Sequence, residues 1–409
     1  MGDSRQISSA RLFLVALGTF TLMVSSAVVS NSTSYFIAAV TEALQVTRTE
    51  FSAYYTIVSV CTAIGSILCG SVITKIGNRK GFLIGTVGVT LGFLLLSRLT
   101  SLGLVYIAAA FIGFCQAFIV VPPVAVVNQW FPTKNNGLVI GVTMAGTGAG
   151  GIVMAQIMPR IVAYIDWRTG YLVCAVMFCA LSLLGNLFCG GKAPGSENNG
   201  SGTSGKEKAD KKKDSAYMKN VASVAFALFV AACVLKCFSS VFNQHLSAML
   251  QDTFTVGQVA TAMTVFNVVL VIMKISQGAL YEKLGYRIML ILVFISSFSY
   301  YLVMSHNFAV VLLGIAVMMF CCSTETVLYP LFLSEGFGKK FSSAAWGICW
   351  GSLFAGNALG AMLWGWIYDT FGNYYAGLRM QPVMVGIVCV IVFIGITLAK
   401  KQMAAQEQV

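Results

Sequence analysis

A succession of apolar runs, each about 20 residues long, limits this chain more than any other feature, because that is the length of an α-helix crossing a bilayer. Hydrocarbon offers no partner for backbone N–H and C=O groups, so only helices and closed barrels can sit in it. The runs fall at 12–40, 51–73, 81–97, 102–127, 137–163, 170–190, 219–250, 258–281, 287–305, 308–333, 342–368 and 378–399. They are too long for barrel strands, which need about 10 residues. Of the 409 residues 57% are hydrophobic and only 10% charged, too few charges to coat a soluble domain. The expected class is an all-α membrane protein of twelve transmembrane helices.

The formal charge of +12 would point to nucleic acid in a soluble protein. Here Lys and Arg gather in alternate loops, the pattern of a membrane protein's cytoplasmic side. An N-terminus in the cytoplasm puts Lys75, Arg79, Lys80, Lys134, the lysines of 192–219, Lys283, Arg287, Lys339, Lys340, Lys400 and Lys401 inside. It leaves Arg48, Arg98, Arg160, Arg168 and Arg379 outside. Both termini are therefore expected in the cytoplasm of a multi-pass protein of the cell membrane, without a nucleic-acid partner and as a monomer. The first run, from Leu12 through Val40, reads as a span rather than a cleavable signal.

Cofactor equipment is missing. The twelve Cys form no CxxC pair set out for metal, and Cys233 and Cys237, one turn apart in an apolar run, read as small apolar residues. No G-x-x-x-x-G-K-S/T loop and no HExxH occurs, so neither an ATP-driven pump nor a membrane metalloprotease is expected. No cofactor, no metal and no enzymatic activity follow.

The chain divides into halves, 1–190 and 219–409, with a Gly-, Ser- and Lys-rich segment at 191–218 too polar to pack. That segment reads as a flexible cytoplasmic linker. Gly70-Ser-Val-Ile-Thr74-Lys75-Ile-Gly77-Asn-Arg79 recurs as Gly278-Ala-Leu-Tyr-Glu282-Lys283-Leu-Gly285-Tyr-Arg287, each at the cytoplasmic end of the second span of its half. Asp166-Trp-Arg-Thr-Gly170 has an echo in Asp369-Thr-Phe-Gly372. Six-span halves related by repeats are the architecture of a rocking transporter.

These paired loops resemble the signature of the major facilitator superfamily. The resemblance implies that fold and a conformational latch built from Gly70, Lys75, Gly77, Arg79, Gly278, Glu282, Lys283, Gly285 and Arg287. The first copy departs from the pattern, with Thr74 where Glu282 stands in the second. Asn128-Gln129-Trp130-Phe131-Pro132, followed by Lys134, Gly137, Leu138 and Gly141, resembles the oxalate/formate antiporter and monocarboxylate porter families. Those families place a cation in span eight, at the position of Lys274. They also place one in span eleven, near Cys349 or Trp350, where this chain has none; that departure argues against a doubly charged substrate such as oxalate.

Three charges lie deep in apolar runs. A charged side chain near the bilayer centre costs about 3 kcal/mol or more, so such residues mark substrate or ion paths. Lys274 lies about 10 Å and Glu325 about 12 Å from the cytoplasmic ends of their spans, and Lys236 about 22 Å into span seven, at ~1.5 Å per residue. The first two depths match, so a direct Lys274–Glu325 pair is expected. Glu325 would then act either as proton carrier or as structural counter-charge, and Lys274 either as anion anchor or as a snorkelling side chain. One net positive charge suits a monocarboxylate. Spans of the first half offer only polar groups: Ser25, Ser26, Ser30, Asn31, Tyr35 and Gln116. Trp350 is a further candidate for substrate contact. Glycines of spans five and eleven read as surfaces along which the halves move, Trp364 and Trp366 as an interfacial belt, and His245 as a solvated helix end or a proton relay.

The expected activity is secondary transport of a small organic anion, by symport with protons or by antiport. The alternative is a proton-coupled exporter of drugs or other metabolites.

Overall fold

In the computed structural model, residues 9–131, 133–189 and 222–407 are described, and among them there is helix and no strand. The segment read as a linker lies outside the described residues. In the first half the helices are α1 (Ser9–Ser32), α2 (Ile37–Leu44), α3 (Arg48–Ile76), α4 (Asn78–Ser97), α5 (Leu102–Val120), α6 (Pro122–Trp130), α7 (Thr133–Tyr164) and α8 (Trp167–Cys189). The second half has α9 (Val224–Ser240), α10 (Asn243–Gln251), α11 (Val256–Ser297), α12 (Ser299–Val303), α13 (Phe308–Cys322), α14 (Thr324–Phe371) and α15 (Tyr375–Glu407).

Ten helices among the described residues are long and apolar enough to cross a membrane, and Val224–Cys237 adds a shorter apolar one. The run expected at 342–368 is helical within α14. Two of the continuous helices each contain a pair of spans. α11 turns at Gly285 (φ 73°) and α14 at Gly338 (φ 79°). Gly285 has its repeat partner in Gly77 (φ 85°), which separates α3 from α4. All three take left-handed values that a side chain disfavours. The recurring glycine of the loop motif is therefore a backbone requirement: it lets one span stop and the next start within a single residue.

Five spans are interrupted among the described residues. Span one ends in a 3₁₀ turn at Thr33–Tyr35 before α2, and span four breaks at Val121, where Pro122 opens α6. Span seven breaks between Ser240 and Asn243, and span ten at Ser323. These four are the first and fourth spans of each half, and span nine breaks at Phe298, between α11 and α12.

Chain contacts divide the protein into two compact units, Met1–Val46 with Ile57–Gly205 and Thr47–Thr56 with Lys206–Val409. Inside the first, Gly146 and Gly150 of α7 bring that helix against Phe20 and Val24 of α1. Inside the second, Gly356 of α14 packs on Val234 and Cys237 of α9. Cβ atoms at Gly150 and Gly356 would come within 2.5 and 2.4 Å of the Val24 and Val234 carbonyl oxygens. Gly146, Gly150 and Gly356 thus close helix pairs within one unit, whereas Gly365 of span eleven meets Arg48 and Thr49 of α3. A small residue permits close approach whether or not the partner slides.

The second unit has an apolar core of Phe226, Phe229, Phe332, Phe337, Val385 and Ile396. Its composition also explains Thr47–Thr56. The Asp369 carboxylate accepts from the Arg48 and Thr49 amides at 3.0 and 2.8 Å. The Arg48 guanidinium, 3.5 Å from the Tyr368 ring centroid, donates to the Tyr374 hydroxyl and lies 3.3 Å from Asp252 Oδ1. Trp364 is 1% exposed, against the Phe242 ring, so the belt expected there is confined to Trp366, at 50%.

Candidate substrate and ion site

Several candidate residues lie beside helix breaks. Asn31 and Tyr35 flank the break of span one, Gln116 precedes that of span four, Lys236 that of span seven, and Glu325 follows that of span ten. Discontinuous membrane helices are where transporters place substrate and ion sites, because irregular backbone is tolerated only beside a cavity or inside protein.

The second unit carries the charge. Lys236, fully enclosed near the end of α9, places Nζ 3.6 Å from Glu325 Oε1 and donates to Ser240 Oγ at 2.8 Å. Ser240 is one turn along the same helix, so a single face of α9 holds both Lys236 and its hydroxyl partner. Cys237 turns its thiol to Glu325 Oε2 at 3.3 Å. Both carboxylate oxygens are thus met from α9, and the Glu325 side chain keeps 16% exposure.

Glu325 is therefore the counter-charge of Lys236, which corrects the expected pair with Lys274. Counting residues at a fixed rise assumes a straight helix and says nothing of the direction a side chain faces. Breaks at 241–242 and at Ser323, with Pro330 inside α14, defeat that count.

Lys274 stands on α11, half-buried, in a stretch from Val268 to Met273 that has no other charge. No hydrogen bond or ion pair to it occurs among the described residues. The close contacts of Glu325 are with α9. Of the two lysines, Lys236 has its charge met by Glu325, and Lys274 has no partner among the described residues.

Polar groups of the first unit are largely turned to their own backbone. Ser25, Ser26 and Ser30 donate to Leu22, Met23 and Ser26 carbonyls, and Asn31 Nδ2 to Ala27. Tyr35 and Gln116 are buried. The side-chain surroundings of Gly70 and Trp350 lie outside the described residues. An apolar pocket of about 350 Å³ between α1, α7 and α8, lined by Val24, Val28, Met154, Met177 and Leu181, contains none of the candidates and no group able to hold an anion.

The loop residues Lys75, Arg79, Glu282, Lys283 and Arg287 are exposed and form no ion pair among the described residues. At that end of the second unit the acid in use is Glu335, which accepts from Tyr281 and pairs with Lys400. His245 is fully buried, not a solvated end: its two ring nitrogens face the Tyr374 hydroxyl at 3.1 Å and the Ala361 carbonyl at 3.3 Å. No grouping of His, Cys, Asp and Glu able to hold a metal occurs among the described residues.

Sequence reasoning missed Ser240, Cys237 and the Arg48–Asp252–Asp369–Tyr374 cluster. One signal was present: Thr47-x-x-Glu50 is a capping box, and its reciprocal bonds form at 3.1 and 2.8 Å.

Known proteins share this organisation. Residues 15–285 match the model of the Major Facilitator Superfamily. A 127-residue stretch is 29% identical to the MFS-type transporter hasB of Aspergillus fumigatus, covering 31% of this chain and 28% of that protein. A 165-residue stretch is 24% identical to human monocarboxylate transporter 12, covering 36% of this chain and 31% of that one. The matches thus span about three-tenths of those relatives' length. In three dimensions the chain is similar to a bacterial homolog of the human lysosomal transporter Spinster, with a TM-score of 0.73 at 12% identity over 97% of this chain and 98% of that one. With the family model covering most of the chain, this protein belongs to the Major Facilitator Superfamily.

Proposed function

We propose that the protein is a secondary active transporter of a small organic anion, a monocarboxylate fitting best. It works by alternating access of two six-helix halves, 1–190 and 219–409, tethered by 191–218. It resides in the cell membrane as a monomer with both termini in the cytoplasm. Transport is coupled to protons or to a counter-anion.

One observation carries this reading. Lys274 is a half-buried ammonium in an apolar stretch without a described partner, whereas the Lys236 charge is met by Glu325. A lone cation at that depth is costly unless a ligand satisfies it, and one ammonium balances one carboxylate. Two features add support: the likeness to a protein named a monocarboxylate transporter, and the spacing from Lys274 to Gly278 shared with carboxylate carriers. Asn31, Tyr35 and Gln116 are the polar candidates of the first unit for substrate contact, and Trp350 the aromatic candidate of the second. Glu325, the described carboxylate beside Lys236, is the group to carry a coupled proton.

Uptake of radiolabelled acetate, lactate, formate and oxalate into proteoliposomes, with and without a pH gradient, tests the reading. Lys274→Ala is expected to reduce uptake to background, and Lys274→Arg to retain part of it. Glu325→Gln is expected to abolish concentrative uptake while exchange continues. Normal transport by Lys274→Ala would show that the lysine only snorkels and would remove the basis of the assignment.

A further inference from the structure

Near one end of the second unit, cations from two helices meet at a single ring. Tyr286 follows the Gly285 turn in α11, and its ring packs beside Phe393 of α15. The Lys400 ammonium lies 4.8 Å from the ring centroid and the Arg287 guanidinium 5.8 Å. Arg287 Nε also donates to the Tyr286 hydroxyl at 3.2 Å. Phe393 and Tyr286 thus bring the charged residues of two helices, far apart in sequence, to one place.

The acid nearby is already occupied. Glu335 receives Lys400 on Oε1 at 2.5 Å and the Tyr281 hydroxyl on Oε2 at 3.1 Å. Arg287 is exposed, has no described acidic partner, and keeps the outer edge of its guanidinium free of described bonds. Lys400 is 44% exposed on its side chain and retains N–H donors beyond the one turned to Glu335. Exposed Lys283 and Lys401 lie close by in sequence, with Glu282 as the only other acid of 282–287. Counted with Glu335, the group carries a surplus of positive charge.

We propose that this cluster is a binding site for the phosphate of an anionic phospholipid. Position argues for lipid over a soluble anion. Arg287 opens the apolar run that follows the Gly285 turn, and Lys400 lies one turn before the end of the apolar helix Tyr375–Ala404, so both cations stand at span ends, the depth of headgroups. The loop charges assign this end to the cytoplasmic leaflet, where anionic lipids draw basic residues by about 1 kcal/mol each. A guanidinium suits a phosphate because its planar donors can engage two oxygens together. The aromatic ring holds both cations against the protein so that little side-chain freedom is lost on binding. The inference is independent of what the protein transports.

The test compares purified full-length protein in phosphatidylcholine nanodiscs with protein in nanodiscs containing phosphatidylglycerol as well. Thermal unfolding and lipid retention by native mass spectrometry are measured in each. Wild type is expected to unfold several degrees higher with phosphatidylglycerol and to retain it in preference to phosphatidylcholine. Arg287→Gln, which leaves the Lys400–Glu335 bridge in place, should lose most of that preference, and Arg287→Gln with Lys400→Gln all of it. Lys274→Ala should keep it. Equal behaviour of wild type in the two lipids, or an undiminished preference in the double variant, would overturn the proposal. So would inorganic phosphate that stabilises the protein in phosphatidylcholine as strongly as phosphatidylglycerol does, since the site would then serve a soluble anion.

Discussion

The α1–α7 seam of the first unit and the α9–α14 seam of the second use glycine in the same way and charge in opposite ways. In both, a glycine on the long helix brings its partner to within a side chain's breadth, Gly150 against Val24 and Gly356 against Val234. Across the first seam the polar contact is neutral, Thr19 to Thr143 at 3.0 Å, with both residues buried. Across the second it is Lys236 with Glu325. Close packing is a property of the repeated scaffold, whereas of these two seams only the second is crossed by a described ion pair. A scaffold does not require buried charge to join its helices, as the first seam demonstrates. The charged seam therefore points to work other than assembly.

The largest test of this contrast breaks the charged seam. Lys236→Met leaves Glu325 in the protein interior without its cation, and should cost roughly 3–5 kcal/mol, read as a lowered unfolding temperature in detergent. Lys236→Met combined with Glu325→Met should recover most of that loss, because an apolar pair often replaces a buried ion pair at little cost. The sharpening measurement is transport by the recovered protein. An inactive but stable double variant separates function from assembly, while full activity would reduce the pair to a structural device.

An intermediate effect is expected from the glycines. Gly150→Ala and Gly356→Ala each place a Cβ against a carbonyl oxygen that belongs to the neighbouring helix backbone. Each should cost about 1–3 kcal/mol as overpacking does, by thermal unfolding of the purified variants. Similar losses would support a common scaffold. A loss confined to one unit would break the comparison.

The neutral seam gives the smallest effect. Thr19→Val removes one partner and leaves the Thr143 hydroxyl buried, about 1–3 kcal/mol, while Thr19→Val with Thr143→Val should be close to neutral. Wild-type transport is expected from the double variant once its folding is confirmed. A stable double variant without transport would move chemistry into the first unit.

Spans were legible because lipid permits so few solutions: length and hydropathy alone outline them, and Gly77 and Gly285 mark the turns between them. Chemistry was legible only as a list of residues. Lys236, Lys274 and Glu325 stand out because charge is rare in apolar runs, but their pairing depends on helix breaks and side-chain direction. His245 and Trp364 show the same limit. A helix end and an interfacial tryptophan are reasonable readings of a linear pattern, yet both side chains turn inward around Phe242 and Tyr374. Arg48 looked like a loop charge, since nothing local announces a carboxylate and two tyrosines from the far end of the chain.

That far-end partnership bears on how the protein is made. The helix starting at Arg48 begins with a local cap, because Thr47 and Glu50 answer each other's amides. Its first two amides, those of Arg48 and Thr49, wait for Asp369. A ribosome reaches that aspartate only when most of the polypeptide has left the exit tunnel and entered the membrane. Through most of synthesis the local cap alone holds the helix start, and those amides turn to water at the membrane surface. Release of a chain truncated ahead of Asp369 would leave the helix inserted but its end unfinished, a state that quality control can recognise by its accessible backbone.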